Sequence, residues 1–224
     1  MPFDSLYLVL VLPALIFSMW AQHSITSNFK KFSKKRVAGG TTGAEAAEAV
    51  LKKAGIANVK IKHVPGNLTD HFDPRTNTIG LSDSVYNSDS IAAVGVAAHE
   101  AGHAIQYKNS YFPMQIRAFI IPVTNFGSKL AIPLVLLGLF LNMAGLIDLG
   151  IILFGTVVVF QVITLPVEYN ASNRALAALS ESKILTKSEM PGAKKVLSAA
   201  ALTYVGALAV SLAQLISLIA RRRN

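Results

Sequence analysis

The sequence contains no cysteine in its 224 residues. This absence excludes a disulfide framework and a thiolate metal site, so protein ligands to zinc must be histidine or carboxylate side chains. Acidic residues are also scarce, because 12 Asp and Glu stand against 21 Lys and Arg and leave a net charge of +9. No RNA- or DNA-binding motif accompanies this charge, and we therefore expect no nucleic-acid partner.

Hydrophobic residues make up 52% of the chain, which is too apolar for an ordinary soluble domain. They concentrate in four segments, at residues 6–21, 130–147, 149–167 and 197–220. Basic clusters lie beside the first and last of these segments, as lysine and arginine do next to anionic lipid. The sequence therefore predicts an α-helical integral protein of the plasma membrane with several crossings, in contact with the lipid bilayer.

The order of the charges predicts which parts face the cytoplasm. The first segment is followed by the basic run Lys30 to Arg36 and has no lysine or arginine before it, which favours a membrane anchor over a cleaved signal peptide. Residues 30–129 and the pair Lys194-Lys195 are then cytoplasmic. A full crossing by the last segment would place Arg221 to Arg223 outside, against the positive-inside tendency. Either this segment crosses only in part, or the earlier segments overrule its charges.

The polar stretch after the first segment predicts a small α/β unit. Thr41 or Thr42 is positioned to cap a helix that ends near Ala54. Alternating apolar residues predict a strand at residues 58–64. A second strand is predicted at 78–82, after the turn-like run Asp73-Pro74-Arg75. A further helix follows, so the predicted order is helix, strand, strand, helix.

The last helix of this unit is expected to begin after Ser88 or Asp89, and it carries the motif His-Glu-x-x-His. Histidines four positions apart lie one turn apart on the same side of a helix, so His99 and His103 can bind one ion. Glu100 follows the first ligand and can take a proton from water at the metal. The alternative, two polar histidines on a helix surface, is disfavoured because the motif lies in an apolar stretch whose polar groups need partners. The motif predicts a zinc site.

A catalytic zinc needs a third protein ligand, and no third histidine follows His103 at the spacing that such motifs use. Glu168 is the strongest candidate, since it follows Pro166 at the cytoplasmic exit of the predicted transmembrane hairpin and opens a predicted helix. The competing interpretation of Glu168 is a carboxylate that favours a helix N-terminus. The other acidic residues considered lie in the hairpin turn or in polar surroundings: Asp148, Glu181 and Glu189.

Three segments together resemble the bacterial membrane-bound neutral zinc metallopeptidases of the YugP-like type: Val96 to Gln106, Leu165 to Ser172 and Leu68 to Arg75. The resemblance covers nearly the whole chain, including the N-terminal anchor and the alanine-rich last segment. It implies a gluzincin-type site, in which His99, His103 and Glu168 bind Zn²⁺ and Glu100 is the catalytic base.

With this resemblance we predict five segments along the chain. Residues 1–29 form a membrane anchor, 30–113 a cytoplasmic α/β zincin-like domain with the HExxH helix, 114–167 a transmembrane hairpin, 168–195 the helix with the third zinc ligand, and 196–224 a C-terminal membrane segment. The expected fold class is an α-helical integral membrane protein with a small α/β zincin-like (gluzincin) catalytic domain.

The arrangement also resembles the HtpX-type and prenyl-protein (CAAX) membrane proteases, whose second helix carries the pattern Glu-x-x-Ala-Asp. Residues 168–171 fit this pattern, but Ser172 stands where the aspartate would be. If that aspartate normally orients a ligand histidine, its role passes here to Ser172 or to another group. The serine at this position therefore affects the hydrogen bonds that orient the ligands, and it leaves the predicted set of metal ligands unchanged.

These residues predict a membrane-embedded zinc endopeptidase that acts on membrane or membrane-proximal proteins or peptides. The strand at 78–82 is expected to pair with an extended substrate by edge addition. The alternative is a catalytically silent membrane scaffold or regulatory subunit that retains a zinc site, which the intact Glu100 disfavours. A transporter is also disfavoured, because the apolar segments lack the paired charges of an ion path. Four side chains are candidate donors to the developing oxyanion: His71, Tyr107, Tyr169 and Arg174.

Overall fold

The computed structural model describes residues 5–223, apart from the side chain of residue 223, so residues 1–4 and 224 of the first and last predicted segments lie outside the described residues. Within this range the chain is mostly helical and contains one small sheet. The elements in chain order are α1 (Ser5–Phe32), α2 (Gly43–Lys53), β1 (Lys60–His63), β2 (His71–Asp73), β3 (Thr78–Leu81), α3 (Ile91–Lys108), α4 (Phe112–Phe140), α5 (Ala144–Glu181) and α6 (Met190–Arg223).

The chain forms two compact units. Unit 1 comprises the described residues up to Ala21, Pro113–Pro166 and the described residues from Leu202 onwards, and unit 2 comprises Gln22–Phe112 and Val167–Ala201. Helices α1, α5 and α6 each contribute residues to both units, and α4 contributes only Phe112 to unit 2. The roles assigned to the five predicted segments stay predictions.

Unit 1 contains parts of four helices that are long and apolar enough to cross a membrane, namely α1, α4, α5 and α6. Small residues allow these helices to approach closely, as is common between membrane helices. A Cβ atom on Gly150 would lie 2.7 Å from the carbonyl oxygen of Ala131 in α4, and one on Gly206 would lie 2.9 Å from the Cα of Ser18. Large apolar side chains such as Phe119 are exposed, which fits contact with lipid.

The helical hairpin differs from its predicted limits. Helix α4 ends at Phe140 and α5 begins at Ala144, so the connection is shorter and begins earlier than the predicted stretch at 142–148. Asn142 adopts the left-handed conformation there, with φ 54°, which asparagine tolerates better than most residues. The hydrophobic pattern missed this turn because apolar residues continue through it. The prediction that Asp148 lies in the turn is therefore wrong, since Asp148 belongs to α5.

An ion pair joins Asp148 to the last helix. Arg222 donates to the carboxylate of Asp148 from Nε at 2.7 Å and from a terminal nitrogen at 3.1 Å. The C-terminal end of α6 therefore lies beside the N-terminal end of α5 within unit 1, and the two helices run in opposite directions there. Whether the last segment crosses the membrane fully stays a prediction.

The sheet of unit 2 has the strand order β1-β3-β2. Strand β3 pairs in parallel with β1 and antiparallel with β2. Strand β2 was not predicted, because three residues are too few to show a period-two pattern. Since β3 is the central strand and has a partner on each side, the prediction that a substrate pairs with residues 78–82 is wrong. The outer edges of this sheet belong to β1 and β2.

Helices α2 and α3 pack against each other and supply much of the core of unit 2. Helix α2 confirms the predicted cap, because the Thr42 hydroxyl accepts from the backbone N–H of Glu45 while the Glu45 carboxylate accepts from the backbone N–H of Thr42. This reciprocal arrangement satisfies donors that a helix start otherwise leaves open. Helix α3 is buried along most of its length, which fixes the orientation of its histidines.

Candidate metal centre

Helix α3 begins one or two residues later than predicted. The cap is Ser90, whose hydroxyl accepts from the backbone N–H of Ala93 at 3.2 Å. The two residues predicted for this role have other partners: Ser88 donates to the Ser90 hydroxyl at 3.0 Å, and Asp89 forms an ion pair with Arg36 at 2.9 Å. The prediction of Ser88 or Asp89 as the cap is therefore wrong, although the helix itself is confirmed.

The structure brings together the three predicted ligands. The Nε2 atom of His99 lies 3.3 Å from a carboxylate oxygen of Glu168, and the Nε2 atom of His103 lies 3.6 Å from the same oxygen. One ligand atom from each of the three residues lies within 4.8 Å of the others. Among the described residues, this is the group of histidine and acidic side chains arranged to hold a metal ion.

The geometry of this group fits a tetrahedral zinc ion. Zinc–nitrogen and zinc–oxygen bonds of about 2.0–2.1 Å place neighbouring ligand atoms of a tetrahedron about 3.3 Å apart. The two observed distances between the histidines and Glu168 are 3.3 and 3.6 Å. The distances from Glu168 to both histidines therefore suit zinc, and a zinc ion held by these three residues would keep one position for water or substrate.

The group is shielded from solvent. Glu168 is 2% exposed, and both His103 and Glu100 are 8% exposed. Burial by itself would lower the pKa of His103, but the neighbouring carboxylates of Glu168 and Glu100 outweigh it and raise the pKa above its usual value. A buried carboxylate between two imidazoles is stabilised by a positive charge nearby, and a bound metal cation would supply one.

Glu168 lies in the middle of a continuous helix rather than at its start. Helix α5 continues through Pro166 to Glu181, although this proline cannot donate a hydrogen bond to the carbonyl of residue 162. Helices in membrane proteins tolerate such a proline because neighbouring groups satisfy the open carbonyl. The prediction that a helix begins at Glu168 is wrong, and with it the competing interpretation of Glu168 as a helix N-terminal carboxylate is excluded.

Close packing of α3 on α5 sets the distance between the histidines and Glu168. A Cβ atom on Gly102 would lie 2.6 Å from the backbone oxygen of Ala171, which is closer than any real contact of that kind. Only glycine therefore fits at this position of α3. Because Gly102 lies next to His103 and Ala171 lies three residues after Glu168, this contact fixes the spacing of the ligands.

Replacing Gly102 by alanine is expected to force α3 away from α5. We expect the variant to lose about 1–3 kcal/mol of stability, as overpacked cores do, and to bind zinc more weakly. Gly95→Ala is the matched control on the same helix, because its Cβ would lie 3.5 Å from the Cβ of Ala193, an ordinary contact. Unfolding in detergent and zinc titration measure both effects. Equal behaviour of the two variants would contradict the role given to Gly102.

Further hydrogen bonds hold the ring nitrogens that face away from Glu168. The Nδ1 atom of His99 lies 3.1 Å from the Ser172 hydroxyl, and the Nδ1 atom of His103 lies 3.0 Å from the amide oxygen of Gln106. A role for Ser172 beside a ligand histidine was predicted from the sequence, whereas none was predicted for Gln106. A signal was available, because Gln106 follows His103 by three residues and so lies on the same side of the helix.

The other predicted site residues lie outside the cluster of three ligands. His71 hydrogen-bonds through Nδ1 to a backbone carbonyl two residues earlier, at 2.9 Å. Tyr107 places its ring 6.0 Å from an aromatic ring of β2, and Arg174 donates to the side-chain oxygen of Asn170 at 2.7 Å. Tyr169 is 43% exposed. A role for any of these four in stabilising an oxyanion stays a prediction.

Comparison with known proteins identifies the family of the chain. Residues 7–223 match the model of a family described as "Putative neutral zinc metallopeptidase". The chain is also 47% identical over 211 residues to a protein of Bacillus subtilis (strain 168) named "Putative membrane protease YugP", and the match covers 94% of each chain. No solved structure matches the chain significantly. Since the family model spans nearly the whole sequence, the chain belongs to this family.

Proposed function

We propose that the protein is a membrane-embedded, zinc-dependent endopeptidase that hydrolyses peptide bonds of membrane or membrane-proximal proteins. The observation that carries the proposal is the convergence of His99, His103 and Glu168 beside Glu100, which is also buried. A zinc site with a purely structural role has no need of a buried glutamate directly after its first ligand. The B. subtilis relative, which is named as a membrane protease, supports the same activity.

The proposed roles follow from the positions of the side chains. His99 and His103 would hold Zn²⁺ through Nε2, and Glu168 would hold it through its carboxylate. When bound, the ion supplies Lewis acidity, which makes water a stronger nucleophile at neutral pH and polarises a peptide carbonyl. Glu100 takes the proton from the attacking water and passes it to the leaving amine.

The proposal assigns the zincin-like catalytic domain to unit 2, which contains α3, the mixed sheet and the part of α5 with Glu168. Most of the lysines and arginines also belong to unit 2, which supports a cytoplasmic location by the positive-inside tendency. Substrates near the membrane are favoured because Glu168 lies two residues after Pro166 on a helix apolar enough to cross the bilayer.

Removing zinc is expected to abolish proteolysis, and adding zinc back is expected to restore proteolysis. The full-length chain, purified in detergent, should cleave a fluorescent casein substrate, lose this activity to a zinc chelator, and regain it with one equivalent of Zn²⁺. The reason is that Glu100 alone cannot make water nucleophilic enough at neutral pH.

The blank for this assay is a His99→Ala, His103→Ala double variant purified in parallel, which reveals any contaminating protease. Cleavage that survives the chelator, or that the double variant shares, would contradict the proposal. A chain that binds zinc but cleaves neither casein nor membrane-protein substrates would instead favour the silent scaffold.

A further inference from the structure

Gln106 is a buried amide that hydrogen-bonds in three directions. Its side chain is 0% exposed. The amide oxygen lies 3.0 Å from Nδ1 of His103, and the amide nitrogen donates to the backbone oxygen of Val167 at 2.8 Å and to the side-chain oxygen of Asn170 at 3.0 Å. Both of the latter residues belong to α5, on either side of Glu168 and Tyr169. A single side chain of α3 therefore contacts one metal ligand and the backbone next to another.

The orientation of this amide is fixed by its partners. The backbone oxygen of Val167 can only accept a hydrogen bond. The side-chain oxygen of Asn170 is itself identified as an acceptor, because Arg174 donates to it at 2.7 Å. Turning the Gln106 amide by half a rotation would place its oxygen against both of these acceptors and leave its donors without them. The amide oxygen therefore faces His103.

An acceptor at this position determines where His103 carries its proton. A histidine nitrogen that faces an amide oxygen must be the protonated one, so Nδ1 of His103 holds a hydrogen. The other nitrogen, Nε2, is then the one that can give its lone pair to a cation. The Ser172 hydroxyl beside Nδ1 of His99 imposes no such choice, because a hydroxyl can either donate or accept.

We propose that Gln106 is a positioning residue for the metal site: it holds His103 with the proton on Nδ1 and fixes α3 against α5 next to Glu168. The inference rests on the proposed zinc site but not on proteolysis. Outer partners of metal-binding histidines typically change metal affinity by about 10–100-fold. A neutral amide serves here where many zinc sites use a carboxylate, and it supplies the link to α5 that a carboxylate could not donate.

The test compares three variants of the full-length chain in detergent. Gln106→Met keeps a similar shape and removes all three hydrogen bonds. Gln106→Glu keeps an acceptor for His103 but loses both donors to α5. Gln161→Met is the matched control, since the buried side-chain oxygen of Gln161 has no hydrogen-bond partner among the described residues. Zinc affinity is measured by competition with a chromogenic chelator, and the proton on Nδ1 of His103 is observed by nitrogen-15 NMR of histidine-labelled, zinc-loaded protein.

We expect Gln106→Met to weaken zinc binding by about 10–100-fold and to lose the slowly exchanging Nδ1 proton of His103. Gln106→Glu should keep that proton and bind zinc more tightly than Gln106→Met does, and Gln161→Met should behave like the natural sequence. If Gln106→Met does not fold, Gln106→Glu still tests the inference. We expect this variant to bind zinc with an affinity below that of the natural sequence and to retain the proton on Nδ1 of His103.

Wild-type zinc affinity in Gln106→Met, or a His103 ring with its proton on Nε2 in the natural sequence, would overturn the inference. Neither readout depends on cleavage. A chain that binds zinc as expected and shows the Nδ1 proton, yet hydrolyses no peptide, would count against the proposed endopeptidase and leave the role of Gln106 intact.

Discussion

Replacing Glu100 by glutamine is expected to leave zinc bound and to lower the rate of peptide hydrolysis by about 10²–10⁴-fold, the usual contribution of a general base. Glutamine has nearly the shape of glutamate but cannot accept a proton at neutral pH. Because Glu100 is not one of the three residues that converge as ligands, its replacement should spare metal binding. Zinc content by mass spectrometry and cleavage of a fluorescent casein, measured on the same preparation, separate the two effects.

The control for this variant is Glu48→Gln, which removes the same charge from an exposed position on α2 and should leave the cleavage rate unchanged. The assignment of Glu100 fails if the glutamine variant cleaves at the wild-type rate. Loss of zinc together with activity would also count against it, because Glu100 would then support the metal rather than move a proton. A variant that retains zinc without turnover can further be used to trap substrates in membranes.

Replacing Glu168 by alanine should lower the affinity for zinc by more than about 100-fold, beyond the effect typical of outer partners. The carboxylate is the only acidic group of the cluster, and its oxygen lies within 3.6 Å of both histidine Nε2 atoms. Without it, two neutral imidazoles remain, which is one ligand fewer than catalytic zinc sites use. Zinc affinity by competition with a chelator measures the loss directly, without any need for a known substrate.

Two further variants show whether the loss is specific. Glu181→Ala removes a carboxylate from the same helix, where it pairs with Lys53 at an exposed position, and should leave zinc affinity unchanged. Glu168→Gln preserves the volume of the side chain, so a weak affinity in both Glu168 variants assigns the effect to the lost carboxylate rather than to a cavity. Unchanged zinc occupancy in Glu168→Ala would remove this residue from the ligand set.

The parts of the site that could be predicted from the sequence are those set by neighbouring residues in the chain. His99, Glu100 and His103 share one helix, so the helical repeat alone predicts that the two histidines face the same ion. The Thr42 cap of α2 was predictable for the same reason, because cap and partner are three residues apart. Each of these features depends on spacing that can be counted along the chain.

The parts that were missed depend on contacts between distant segments. Pro166 was expected to end a span, but α5 continues through it, because in a membrane the neighbouring helices decide whether a proline interrupts a helix. Strand β2 exists only through pairing with β3, and its three residues carry too little pattern of their own. Gln106 acquires its role from acceptors on α5, more than 60 residues later.

The position of Glu168 late in the chain sets an order of events during synthesis. Glu168 follows α4 and the apolar first part of α5 in the chain, so a ribosome that has completed the HExxH helix has made a pair of histidines but no third ligand. All three proposed ligands exist only after α4 and the first part of α5 have been synthesised. A nascent chain stalled before that point, or a fragment ending at Lys108, carries the motif but only two of the three proposed zinc ligands.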